Sequence, residues 1–87
     1  MKYRSRSDIV GLILESANGG GATKTKIMYK AFLSYAQLKE YLTVLLEKRL
    51  LEYEEETKFF RTTEKGLHLL QMYNQFDEMM SIESVRK

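Results

Sequence analysis

Leu51-Glu52-Tyr53-Glu54-Glu55-Glu56-Thr57-Lys58-Phe59-Phe60-Arg61-Thr62-Thr63-Glu64-Lys65-Gly66 is the stretch that decides the fold. Leu51-Glu52-Tyr53-Glu54 and Phe60-Arg61-Thr62 alternate as two half-buried strands, joined by a polar turn near Glu55-Glu56-Thr57-Lys58. The hairpin runs straight into Thr63, an N-cap residue for a last helix. In that helix Leu69, Tyr73, Phe76 and Met80 recur at steps of four, three and four, with Leu70, Met72 and Met79 beside them.

Upstream of the hairpin lie three shorter helical patterns. Ser7 precedes Asp8 and the apolar run Ile9, Val10, Leu12, Ile13, Leu14 and Ala17, so Ser7 is expected as the first cap, with an acid in the first turn. Asn18-Gly19-Gly20-Gly21 stops this helix, because glycine reaches positive φ at no steric cost. Thr23 caps a second, short helix from Lys24 to Lys30, with Ile27 and Met28 on its buried side. After the apolar turn Ala31-Phe32-Leu33, Ser34 caps a third helix from about Tyr35 to Lys48, where Leu38, Tyr41, Leu42, Leu45 and Leu46 form a core stripe.

Three helices, a hairpin and a helix define an α+β, mainly helical chain: a winged helix-turn-helix with a C-terminal dimerisation helix. The expected divisions are residues 1–66 for the winged domain, 63–80 for the dimerisation helix and 81–87 for a polar, disordered tail. The chain shows no linker, low-complexity tract or internal repeat.

A chain of 87 residues makes one domain. A domain of this size buries only about 60% of its unfolded surface, so a partner subunit is the natural source of further burial. There is no Cys, which removes disulfides and thiolate metal sites and fits a cytoplasmic setting. The longest apolar stretch, Ile9 to Leu14, contains Gly11 and is far shorter than the ~20 residues that span a bilayer. Met1-Lys2-Tyr3-Arg4 leads into no signal-peptide pattern.

The net charge of +2 is unevenly spread: residues 1–49 hold nine Lys/Arg against four Asp/Glu, and residues 50–87 five against eight. A one-sided basic field suits a phosphate backbone, since Lys and Arg displace its condensed counterions. In a helix-turn-helix the third helix enters the major groove with its N-terminal residues nearest the base edges. Ser34, Tyr35, Gln37 and Lys39 are therefore the leading contacts, with Thr43 deeper along the same side. Gln pairs bidentately with adenine, and Lys with guanine or phosphate. Lys24, Lys26 and Lys30 on the second helix are placed to hold the backbone without reading sequence. Lys2, Arg4 and Arg6 form a basic arm suited to a flanking groove.

The wing is the exception. Glu54, Glu55 and Glu56 repel phosphate, which leaves Lys58 and Arg61 as its only candidate contacts. Of the six tyrosines, Tyr3, Tyr29, Tyr35, Tyr41, Tyr53 and Tyr73, most are expected as core rings with a wet hydroxyl, and Tyr35 is the one placed to approach a ligand. Leu69, Met72, Tyr73, Phe76, Met79 and Met80 are the expected dimer seam.

No catalytic pair, metal-ligand spacing or cofactor motif stands out, so no enzyme is expected. His68 is the only histidine and has no neighbouring thiol or paired acid. Gly19-Gly20-Gly21-Ala22-Thr23-Lys24-Thr25 lacks the Gly-Lys-Ser/Thr step and the preceding strand of a phosphate loop.

Lys24-Thr25-Lys26-Ile27-Met28-Tyr29, followed by Ala31, Leu33, Ser34, Tyr35, Leu38 and Tyr41-Leu42, resembles the small archaeal winged-helix DNA-binding proteins of the chromatin-associated type. Thr63-Glu64-Lys65-Gly66 matches their helix-opening Thr-x-Lys-Gly step. The resemblance spans roughly residues 5–80. It implies a homodimer joined through the last helix as an antiparallel coiled coil, and places Lys24, Lys26, Ser34, Tyr35, Gln37 and Lys39 on the DNA-facing side. The chain departs from that family in a shorter final helix and an acidic wing. The expectation is a protein that binds double-stranded DNA as a homodimer, either a transcriptional regulator or an architectural protein. It needs no membrane, cofactor or small-molecule substrate. The alternative is a protein-interaction module that docks through the acidic wing and the apolar last helix.

Overall fold

The computed structural model describes the backbone of residues 5–86 and the side chains of residues 5–76 and 79. Its elements are α1 (Arg6–Ala17), α2 (Lys24–Ala31), α3 (Tyr35–Glu47), β1 (Leu51–Glu54), β2 (Phe59–Thr62) and α4 (Glu64–Arg86). Lys2 and Arg4 of the basic arm, Tyr3, and the Met80 side chain lie outside the described residues.

The first helix starts two residues earlier than its composition suggests. Ser5, not Ser7, is the N-cap: Ser5 Oγ accepts from Asp8 N–H and Asp8 Oδ2 accepts from Ser5 N–H, both at 3.1 Å. A capping box needs its acid three residues after the cap, and Asp8 stands in that relation to Ser5. At the other end Gly19 and Gly21 adopt φ of +83° and +92°. Gly21 also lets two strands of backbone close up, since a Cβ there would lie 3.1 Å from Phe60 O. Ala22 consequently exchanges both backbone hydrogen bonds with Phe60, at 3.0 and 2.8 Å, and adds a single bridge to the far edge of the hairpin.

The hairpin is antiparallel, with Leu51 opposite Thr62 and Tyr53 opposite Phe60. β2 begins at Phe59, one residue before the expected start. Tyr53 and Phe60 pack with ring centroids 4.7 Å apart. Ile13 and Leu14 of α1, Ile27 of α2, Leu38 of α3 and Leu51 of β1 are fully buried and form the centre of one apolar core. Thr62 Oγ1 donates to Leu14 O at 2.6 Å and ties β2 to α1.

α3 ends at Glu47, where Arg49 turns left-handed with φ of +62°. Leu50 N–H then donates to Leu45 O at 2.9 Å, closing the helix end. Thr63 opens α4 as expected, its Oγ1 accepting from Gly66 N–H at 3.0 Å. α4 continues to Arg86 through residues 81–86, the segment expected as a tail, because neither Gly nor Pro follows Gly66. Tyr73, expected on the dimer seam, turns toward α1 instead. Its hydroxyl donates to Asp8 Oδ1, and its ring edge lies 3.1 Å from where a Cβ on Gly11 would be. Leu70 is buried beside it, so α4 uses one face to pack its own domain.

Gly66 is the most closely packed of the five glycines: a Cβ there would sit 2.2 Å from Leu50 O and 2.8 Å from Thr62 Cγ2. Replacing Gly66 by Ala is expected to cost about 2 kcal/mol or more through overpacking against a carbonyl that cannot retreat. Urea denaturation monitored by circular dichroism checks this; an unchanged midpoint would contradict it.

Candidate nucleic-acid interface

Two helix starts meet on one side of the domain. Thr23 caps α2, its side chain accepting from Lys26 N–H at 3.3 Å, and Ser34 caps α3. Lys24 at the first position of α2 reaches Tyr35 at the first position of α3. Its Nζ lies 3.4 Å from the Tyr35 hydroxyl and 4.9 Å from the ring centroid. A cation over an aromatic face is an attractive contact, and here it links the starts of the two helices.

Lys26, Tyr29 and Lys30 are three and four residues apart, so they share the outer face of α2, while Ile27 is buried on the inner face. Tyr29 is 71% exposed. Phe32 is 77% exposed, because the turn out of α2 takes it into the left-handed region with φ of +55°. Tyr35 and Tyr53 are also exposed, and Tyr41 and Tyr73 are half-buried, so few of the tyrosines are core rings. The spacing of Tyr29 from Lys26 was the signal for its outward place.

The electrostatics of this surface are simple. From Ser16 to Lys39 the sequence carries four Lys and no Asp or Glu, so α2, the turn and the first turn of α3 form an unbroken acid-free stretch. The next acid is Glu40, beside Lys39, and both are exposed.

Gln37 and Ser34 are brought together in a second capping box. Ser34 Oγ accepts from Gln37 N–H at 3.2 Å, and Gln37 Oε1 accepts from Ser34 N–H at 3.0 Å. One lone pair of the Gln37 carbonyl is thereby used, and its second lone pair and its NH₂ are left. Thr43 Oγ1 donates to Lys39 O at 3.0 Å and keeps its lone pairs for an incoming donor.

The wing contributes less. Arg61 NH1 lies 2.6 Å from Glu54 Oε1, so the Arg61 charge is matched within the hairpin. Lys58 is exposed at the turn with φ of +64°, beside exposed Glu55 and Glu56. Arg6 is exposed at the first position of α1. His68 is exposed on α4. Among the described residues no group of three His, Cys, Asp or Glu is placed to hold a metal ion, and no helix is long and apolar enough to cross a membrane.

Three helices, a hairpin wing and a following helix, with the second and third helices joined by a tight turn, are the parts of one class of domain. The chain belongs to the winged helix-turn-helix family, whose model matches residues 3–81. No curated protein matches it. Among solved structures it is similar to Sso10a-2, a DNA-binding protein from Sulfolobus solfataricus. The two share 23% identity and superpose with a TM-score of 0.80, over 95% of this chain and 90% of that one. This likeness is one of fold, and it agrees with the resemblance to small archaeal winged-helix DNA-binding proteins read from residues 24–42 and 63–66.

Because Ser34 holds the first turn of α3, Ser34→Ala is expected to lower stability by about 1 kcal/mol. Faster hydrogen exchange of the Gln37 amide should accompany the loss. Unchanged stability and exchange would show that the box seen here does not hold α3.

Proposed function

We propose that this protein binds double-stranded DNA as a homodimer, with the N-terminal end of α3 in the major groove and the lysines of α2 on the phosphates. It is a binding module, not an enzyme, acting in the cytoplasm as a transcriptional regulator or as an architectural protein. The observation that carries this reading is the acid-free surface from α2 to the start of α3, where Lys24, Lys26, Lys30 and Lys39 are all exposed beside the capped end of α3. Free amides at a helix start favour an anion, and lysines around them add affinity independent of sequence. The likeness to Sso10a-2, described as DNA-binding, points the same way.

Each candidate has a distinct part. Lys24, Lys26 and Lys30 neutralise phosphates; Ser34 and Tyr35 set the helix end against the backbone; Gln37, Lys39 and Thr43 face the base edges. Lys58 is the wing's remaining contact, and Arg61 serves the wing's own charge balance through Glu54. Exposed Leu69, Met72, Phe76 and Met79 supply the dimer face of α4. The exposed Glu55 and Glu56 favour a second reading, a protein-interaction module that presents its wing to a basic partner. Binding to such a partner, lost when Glu54, Glu55 and Glu56 are neutralised, would put that reading first.

The test is the salt dependence of duplex affinity, measured by fluorescence anisotropy. Lys24→Ala/Lys26→Ala is expected to weaken binding to every sequence and to reduce the slope of log K against log salt by about 2, one per lost phosphate contact. Gln37→Ala should instead change the ranking of sequences by on the order of tenfold and leave the slope alone. An unchanged slope in the lysine variant would remove α2 from the interface.

A further inference from the structure

Two hollows lie between α1 and α3 on one side of the domain. The inner one, about 310 Å³, reaches the first half of α4, and the outer one, about 250 Å³, opens beside Tyr41. They share Arg6, Val10, Val44 and Leu45, so they form one cleft. α1 packs mainly on α2, β2 and α4, whereas α3 packs on β1, and this leaves the facing flanks of α1 and α3 apart. The inner hollow alone reaches the ~300–1,000 Å³ of small-molecule sites.

Its floor is apolar and its rim is cationic. Leu14, Leu45 and Leu70 are buried at the floor, with Val10 and the exposed Val44 on the two sides. Arg6, Ser7 and Lys48 stand exposed at the rim. Arg6 opens α1 and Lys48 follows the last residue of α3, so the two cations come from opposite walls. Among the described residues no Asp or Glu lines this hollow, and neither cation forms an ion pair. Asp8, next to Ser7 in the chain, accepts from Ser5 N–H and from the Tyr73 hydroxyl and is not part of the lining. Glu40 lines only the outer hollow.

An apolar floor under two cations with no acid favours one kind of occupant. A neutral apolar molecule leaves the rim unused, an organic cation is repelled there, and an inorganic anion has no body for the floor. A molecule with an apolar body and one anionic group uses both parts.

We propose that this cleft binds a small amphipathic carboxylate, with its body over Leu14 and Leu45 and its carboxylate between Arg6 and Lys48. The Arg6 guanidinium offers a planar fork and the Lys48 ammonium a point charge, while the Ser7 hydroxyl adds a neutral donor. The site does not rest on the DNA reading, since none of the lysines proposed to meet DNA lines the cleft. Of the proposed dimer face only Leu69 lines it.

Indole-3-acetate, indole and tryptamine share one ring system and differ in charge, so together they probe floor and rim separately. By titration calorimetry indole-3-acetate is expected to bind with a Kd of about 1 mM or tighter, the scale for about a dozen heavy atoms in a small site. Indole should bind on the order of tenfold more weakly, and tryptamine more weakly still. Arg6→Glu/Lys48→Glu should reverse the order of the two charged probes and leave indole within about twofold of its wild-type affinity. Both positions are exposed, and circular dichroism checks that the variant keeps its fold. Methyl signals of Val10, Val44 and Leu45 should move as indole-3-acetate is added. No binding of indole-3-acetate at on the order of 10 mM would overturn the proposal. So would equal affinity for all three probes, an order unchanged in the folded variant, or shifts confined to Met72 and Met79.

Discussion

Everything this protein presents to a partner depends on one corner, where α3 ends, the hairpin starts and α4 departs. Thr63 Oγ1 donates to Arg49 O at 2.7 Å and accepts from Gly66 N–H at 3.0 Å, and Thr63 N–H donates to Leu50 O at 3.1 Å. One threonine thus caps α4 and pins it to the last residues of α3. Gly66 makes the approach possible by having no Cβ against Leu50 O. These bonds set the direction in which α4 leaves the end of α3.

From that corner the molecule divides into a basic head and an apolar arm. The head is acid-free from Ser16 to Lys39 and is stiffened by the Lys24–Tyr35 contact and the two side-chain caps, Thr23 and Ser34. The wing neutralises part of its own charge through the Arg61–Glu54 pair, which removes one cation from any outside partner while reducing the hairpin's negative field. The arm buries Leu70 and part of Tyr73 against its own domain and leaves Leu69, Met72, Phe76 and Met79 outward. So much apolar surface on one helix of a small domain supports the proposed pairing with a second copy.

The order of elements was legible because strong local signals agreed: the Thr23 and Ser34 caps, the glycine stop, the alternating hairpin and the Thr63 step. The first helix start was misread because two serines stand near it, and only the reciprocal bond with Asp8 distinguishes Ser5 from Ser7. The inward turn of Tyr73 was not legible, since helical spacing cannot tell which of two apolar faces meets α1. In the fold the ring lies close against Gly11 and its hydroxyl bonds to Asp8. The candidate contacts were legible as residue types, but their engagement was not. Gln37 and Arg61 looked uncommitted in the sequence, whereas in the fold Gln37 Oε1 accepts from Ser34 N–H and Arg61 pairs with Glu54.

The central claim is that the surface from α2 to the first half of α3 meets the duplex. Amide chemical-shift mapping by NMR during titration with a short duplex tests it most directly. The account predicts perturbations concentrated between residues 23 and 43, with Glu55 and Glu56 and the outward line of α4 left unmoved. Shifts concentrated on the wing turn or on α4, with α2 and the start of α3 unaffected, would contradict it.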